Sequence, residues 1–435
     1  MKDVNNISRK VLIITYYWPP SGGAGVQRWL KFSKYLREFG WEPIIYTPEN
    51  PDVPIFDESL VKDIPNDLVV LKLPIFEPSR VVSLLGGGSS TGRTGASKSP
   101  NEKSSFIEGF SRWVRGNIFV PDARVTWVRP SYKFLKNYLE ENRVDVIIST
   151  GPPHSMHLIG LKVKQAFPKI KWVSDFRDPW SDMDYLDEFK MGKRAMRKLV
   201  AMEKEVIKFS DHVIINSPSV AKTLLGSNND PKASLIPNGW DMNDFVSSND
   251  INPNEKTGTR GVFKLGHFGS LYGSRNAPGL WRAVKKWNLN ENDKVEVVLV
   301  GTVGDEIKDS INNIDSIKLL GGMGHKEAVR EMMNCDGLLL VQNDTDPARK
   351  CTPGKLYEYI ACKKPIFSVC NNPSDLATRL DEWNLPYCDH DDEKAAYEML
   401  RQITSKEGQK IIDASPFERR ALTETLSHLL NKLIS

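Results

Sequence analysis

Apolar residues along the chain follow two alternating rhythms. Short continuous apolar runs over 11–17, 43–47, 68–73, 144–149, 171–174 and 212–216 have the length of strands buried on both faces. Between most of them the apolar positions recur at helical spacing. Val26, Leu30, Phe32, Tyr35 and Leu36 line one such helix, which Gly40 is expected to stop. Strand, Gly-rich turn, helix and strand open a doubly wound α/β domain with a largely parallel sheet.

The rhythm breaks over 247–261, a stretch without apolar periodicity that reads as linker, and then restarts. Strands are predicted over 263–268, 295–300, 337–341 and 365–369, and helices from 278, over 326–333 and over 355–362. An amphipathic helix over 416–434 closes the chain. The pattern predicts an α/β protein of two Rossmann-like doubly wound domains facing an interdomain cleft. Residues 1–240 form the first, 241–415 the second, and 416–435 a final helix. Residues 86–105, almost purely Gly, Ser, Thr and charge, read as a flexible surface excursion within the first domain.

The length of 435 residues agrees with two domains rather than one. With 40% apolar and 26% charged residues, collagen-like, low-complexity and wholly disordered readings are excluded. The net charge of +4 does not argue for nucleic-acid binding. Its distribution is more informative: residues 1–240 hold 34 Lys+Arg against 26 Asp+Glu, and the rest 25 against 29. A basic first half suits an anionic ligand or an anionic membrane face. The five cysteines all lie in the second half and form no C-x-x-C pair, which favours a reducing compartment over a disulfide framework or a zinc site. The N-terminal apolar run is too short for a signal peptide core, and no apolar stretch is long enough to span a bilayer. A cytoplasmic protein is expected.

Ligands of open α/β sheets bind at strand-to-helix loops, and four such loops carry chemistry. SGGAG at 21–25 offers Gly22 and Gly23, whose backbone can approach a phosphate ahead of a helix N-terminus. Its spacing matches neither the dinucleotide fingerprint nor the lysine-bearing phosphate loop. SDFRDPW at 174–180 gathers Asp175, Arg177 and Asp178 at a strand end, partners for sugar hydroxyls or phosphates. GSLYGSRN at 269–276 supplies Gly269, Ser270, Gly273 and Arg275, a bidentate donor for a diphosphate. In CTPGKLYEY, Thr352 and the amides of Gly354, Lys355 and Leu356 are expected to receive an anion, with Glu358 one turn further on. His154 follows Gly-Pro-Pro at another strand end. Asp-x-Asp occurs at 182–184 and 344–346, and the seven histidines never cluster at metal-ligand spacing. No metal site is expected.

YYWPPSGGAGVQR, SDFRDPW, LIPNGWD, GSLYGSRN and KLYEYIACKKPI, in this order, resemble the retaining glycosyltransferases of family 4, of the GT-B class. The resemblance spans about residues 10–430 and points to a bacterial surface-polysaccharide branch. It implies a nucleoside-diphosphate sugar, UDP- or GDP-linked, held mainly by the C-terminal domain, an acceptor held mainly by the N-terminal one, and no metal or other cofactor. It implies that Gly22 and Gly23 lie beside the donor diphosphate. It sets Arg177 or Asp178 where many members hold a histidine near the transferred sugar, and Arg275 at the phosphate-binding basic pair. Asn238, Thr352, Gly354, Lys355 and Leu356 join the donor side, Glu358 takes the ribose, and Asp175 and His154 fall on the acceptor side. The family's other glutamate, eight positions before Glu358, is Lys350 here. The final helix is expected to cross back onto the first domain.

The expected function is transfer of a sugar to a glycan or lipid-linked glycan in polysaccharide biosynthesis. The alternatives are a sugar-nucleotide epimerase of the same architecture and a non-catalytic sugar-nucleotide binder. Phe106, Phe110, Trp113, Ile118 and Phe119 interleave with Arg112 and Arg115, and a second basic helix holds Lys193, Arg194, Arg197, Lys198, Lys204 and Lys208. Such aromatic and basic surfaces suit the headgroup layer of an anionic membrane, so peripheral membrane contact is expected.

Overall fold

The structure, a computed structural model, describes residues 9–53, 56–77, 106–183, 186, 189–246, 261–405 and 410–435. The excursion over 86–105, the linker over 247–260, Asp184, and the side chains of Phe106 and Phe110 lie outside the described residues. These residues form two compact units: one of residues up to 77, 106–237 and 419–435, the other of 238–405 and 410–418.

The first unit is built on a seven-stranded parallel sheet of order β3-β2-β1-β4-β5-β6-β7. Its strands are β1 (Arg9–Ile14), β2 (Trp41–Pro48), β3 (Val69–Leu73), β4 (Val146–Gly151), β5 (Lys171–Phe176), β6 (His212–Ile215) and β7 (Ala233–Leu235). The second unit has a six-stranded parallel sheet of order β10-β9-β8-β11-β12-β13. It comprises β8 (Val262–Phe268), β9 (Lys294–Val300), β10 (Ile317–Gly321), β11 (Gly337–Val341), β12 (Ile366–Val369) and β13 (Tyr387–Cys388). These are two Rossmann-like doubly wound domains. The chain boundary between them falls after Pro237 and the last helix starts at Arg419, shifts of a few residues from the division read in the sequence.

Both sheets are covered on two faces, which is why their strands read as unbroken apolar runs. Alternate residues point to opposite sides. In β1, Leu12 and Ile14 join one core and Val11 and Ile13 the other. In β9, Val297 and Leu299 face one layer and Val298 and Val300 the opposite one. The first strand ends at Ile14, earlier than its apolar run suggests, because Tyr16 and Trp18 are buried in the loop that follows. The helix Ala24–Tyr35 gives way to a short 3-10 turn, Leu36–Phe39, before Gly40 ends it in a left-handed conformation. The strands β7, β10 and β13 are short or exposed and carry no apolar run to betray them. The helix Arg419–Ile434 belongs to the first unit, where Leu422, Leu426 and Leu430 share a core with Trp29, Leu36 and Trp41.

Candidate functional site

In each sheet the chain order reverses at one place, and the loops leaving the two strands there diverge and open a crevice. In the first unit the reversal lies between β1 and β4, in the second between β8 and β11.

At the carboxyl edge of the first sheet, Arg177 is the central group. Its Nε donates to the Gly151 carbonyl at 2.9 Å and its Nη2 to the Pro152 carbonyl at 2.6 Å. A Cβ on Gly25 would lie 2.9 Å from Nη1 of Arg177, so the third glycine of SGGAG makes room for this guanidinium. Gly23, at φ 92°, precedes the helix Ala24–Tyr35 in a conformation that favours glycine. The loop and the strand-end arginine thus meet within one unit. Asp178 is half-buried; burial raises its pKa and Asp175 adds to this, while the Arg177 charge opposes the rise. Behind them, Arg124 stacks over Tyr16 at 4.9 Å and faces Glu77 at 3.7 Å. No motif announces this trio, because its members are scattered along the chain and each is an ordinary loop residue.

Two residues offered to the acceptor are corrected by the structure. Asp175 has no exposed surface and its carboxylate is saturated. It accepts from Arg28 Nε and Nη2 at 3.2 and 3.0 Å, from Trp29 Nε1 at 2.8 Å and from Thr150 Oγ1 at 2.9 Å. Burial alone would raise its pKa, but the Arg28 charge and hydrogen bonds, with Arg177 and Thr150, hold it below the ordinary value. Arg28 spends its other bonds on the Pro237 and Ile236 carbonyls. This is a buried, satisfied ion pair joining helix and sheet. His154 is likewise buried, its ring stacked on Trp180 at 5.1 Å, so it packs the strand end rather than reaching a ligand.

The carboxyl edge of the second sheet is differently charged. Arg275 donates from Nε to the Asn343 side chain at 2.7 Å and from Nη1 to the Ser270 carbonyl at 3.3 Å. Both partners are neutral. Desolvation lowers its pKa, with only Tyr272 opposing it, and no carboxylate among the described residues pairs with it. Asn343, which the sequence reading passed over, stands just beyond β11, and that position was its only signal. Gly354 lies against Asn238: a Cβ there would be 3.6 Å from Nδ2. Lys355 Nζ and Glu358 Oε2 are 2.6 Å apart, as one helical turn allows. Gly269, Ser270, Arg275 and Asn343 therefore form one group, and Asn238 and Gly354 another. Thr352 is half-buried in the loop before the helix Lys355–Ala361. Leu356 is a correction: its amide is spent on the Pro353 carbonyl at 3.1 Å and its side chain is core, so it has no donor for an anion. Among the described residues no three His, Cys, Asp or Glu side chains come together as a metal site.

On the first unit, Lys193, Arg194, Arg197, Lys198, Lys204 and Lys208 are all exposed on the helix Lys193–Phe209. The helix Phe106–Asn117 is tied to its start, since Asn117 Oδ1 accepts the Gly192 amide at 2.7 Å. Arg112, Trp113 and Ile118 are exposed beside it, whereas Arg115 lies over Phe189 and Phe119 is half-buried. Among the described residues no helix is long and apolar enough to cross a membrane.

Residues 94–244 match the family model described as Glycosyltransferase Family 4. No curated sequence matches the chain. Several solved structures share its fold. A glycosyltransferase from Rickettsia africae ESF-5 has a TM-score of 0.63 at 12% identity, covering 99% of each chain. Anabaena Alr3699/HepE, solved with UDP and glucose, has a TM-score of 0.59 at 15% identity, covering 97% of this chain and 99% of its own. WaaG, a glycosyltransferase involved in lipopolysaccharide biosynthesis, has a TM-score of 0.55 at 13% identity, with coverages of 97% and 99%.

Proposed function

We propose that this chain is a family 4 glycosyltransferase of GT-B fold that moves a sugar from a nucleoside-diphosphate sugar to a glycan or lipid-linked glycan with retention of configuration, a reading supported by the family-model match and the shared fold. The observation that carries the reading is Arg275: a half-buried guanidinium, bonded among the described residues to neutral groups, at the reversal point of the second sheet. A partly desolvated cation without a counter-charge favours an anion beside it, and in this reading the diphosphate is that anion.

As the bond to the anomeric carbon breaks, negative charge develops on the departing diphosphate. In our reading Arg275, the Ser270 amide and the amides of Gly354 and Lys355 stabilise that charge in place of a metal ion, since the amides of Gly269, Leu271 and Gly273 are spent on Val300, Thr302 and Glu306. Glu358 holds the ribose, and the acceptor hydroxyl attacks from the face the diphosphate leaves, its proton passing to the departing phosphate oxygen. Arg177 and Asp178 of the first unit are assigned to the acceptor and the reacting sugar. The UDP and glucose in the Anabaena structure support a UDP-linked donor, with GDP the alternative. The role of WaaG in lipopolysaccharide biosynthesis supports a bacterial polysaccharide acceptor.

A polyprenyl-linked acceptor brings the enzyme to a membrane, and the basic helix with Trp113 and Ile118 is the surface that would meet it. Flotation with anionic vesicles should carry the protein upward and release it in high salt; recovery in the unfloated fraction removes the membrane assignment. The reaction itself is tested by incubating the chain with UDP- and GDP-sugars, with and without glycan acceptors. Nucleotide release that depends on acceptor, with a product of unchanged anomeric configuration, is the expected result. Epimerised sugar released without acceptor would replace the transferase by an epimerase.

A further inference from the structure

His267 is buried in β8 and takes no part in the mechanism above. The strands β8 and β11 pair only at Leu265 with Gly337 and Gly266 with Leu338. Beyond that they separate, and side chains bridge the gap. The Tyr359 hydroxyl accepts the Phe268 amide at 3.0 Å and donates to the Leu339 carbonyl at 3.3 Å. His267 Nδ1 lies 2.9 Å from the same carbonyl. A carbonyl only accepts, so the Nδ1 proton is fixed there. The other ring nitrogen, Nε2, is buried and has no hydrogen-bond partner among the described residues.

What Nε2 faces is Gly269, held at φ +151°, where a side chain would be strained. A Cβ on Gly269 would sit 3.6 Å from Nε2 and, apart from the two adjoining residues, within 4 Å of no other described atom. The space left by the missing Cβ is thus open, within the Arg275 loop, and bordered by an unpartnered buried nitrogen.

We propose that an oxygen of the donor diphosphate occupies this space over Gly269, and that His267 Nε2 takes up a proton from solvent and holds it in a hydrogen bond to that oxygen. Nucleotide binding is then coupled to proton uptake. The inference rests on the donor-site reading of the preceding subsection. The charged groups acting on the ring are Arg275, from the loop after β8, and Lys355, from the helix Lys355–Ala361; both are cations, and no carboxylate opposes them. With burial they depress its pKa to about 4, against the pull of the Leu339 carbonyl, so the ring is neutral without ligand. An anion between those cations reverses the balance, because it favours the protonated ring.

Calorimetric titration of the chain with UDP, GDP, ADP, CDP and dTDP, each in buffers of different ionisation enthalpy, tests this. The quantity read is the protons taken up by wild type less those taken up by His267→Gln, which cancels the ionisation of the nucleotide itself. A difference approaching one proton is expected, with wild-type affinity falling up to about tenfold more per unit of rising pH than that of the variant. Binding with no difference in proton uptake overturns the role of His267 and leaves the donor site standing. Binding of none of the five nucleotides overturns the donor site and this inference together. If His267→Gln does not fold, histidine ring resonances of wild type serve instead: one ring must move from neutral to protonated when nucleotide is added, and seven unmoved rings refute the proposal.

Discussion

Two arginines follow the central strand of the two sheets, and they have opposite fates. Arg28, in the helix after β1, is sealed against Asp175 with side-chain exposures of 0% and 1%, and every donor it spends meets an acceptor in its own unit. Arg275, in the loop after β8, meets only an amide oxygen and a carbonyl. The same residue type at comparable topological positions is structural where its charge is cancelled and available to a ligand where it is not. Charge balance, rather than residue type or loop position, separates the two.

The contrast can be broken most forcefully at Arg28. Arg28→Ala leaves the Asp175 carboxylate buried and unpaired, and should cost about 3–5 kcal/mol of stability. Chemical denaturation followed by tryptophan fluorescence measures it; a loss under about 1 kcal/mol would mean that the pair is not what holds helix to sheet. Arg275→Ala should do the reverse, leaving the denaturation midpoint almost unchanged while raising the reaction barrier by about 3–4 kcal/mol, a fall in turnover of some hundredfold or more. If turnover survives, the diphosphate is held elsewhere.

Acid should separate the units next. Burial holds His157 at a pKa of about 3, with Arg177 adding to the effect against Asp175, and holds His212 at about 4, both in the first unit. His154, also in that unit, is lowered by burial and by His157 and Arg177. In the second unit burial lowers His267. Between pH 6.5 and about 4 the unfolded chain binds protons that these folded rings refuse, so stability falls as pH falls. Each ring contributes up to about 1.4 kcal/mol per pH unit. With three such rings against one, the first unit should lose stability more steeply, which hydrogen exchange at pH 6.5 and 5 would resolve by unit. Equal slopes would contradict the assigned burial. The smallest effect belongs to Lys355→Ala. Its pair with Glu358 is partly exposed and worth only about 0.2–0.5 kcal/mol, so a large fall in turnover with intact stability would assign Lys355 to the ligand rather than to the helix.

Much of this protein is determined by its sequence alone. Continuous apolar runs bounded by glycine and proline require strands buried on both faces, and their alternation with helical patterns requires two parallel doubly wound sheets. The loops SGGAG, SDFRDPW and GSLYGSRN had to fall at strand ends, because strand length and turn chemistry are local properties. Tertiary structure alone decided what each charged or polar group does there. Asp175 and Arg177 are two residues apart, yet Arg28, distant along the chain, neutralises the first and leaves the second to bind backbone carbonyls. Leu356 lost its amide to Pro353, and Asn343 and His267 gained roles from neighbours on other strands. The physical reason is that secondary structure follows from the spacing of residues along the chain, whereas burial, charge compensation and an unsatisfied nitrogen depend on which distant groups the fold brings within a few ångströms.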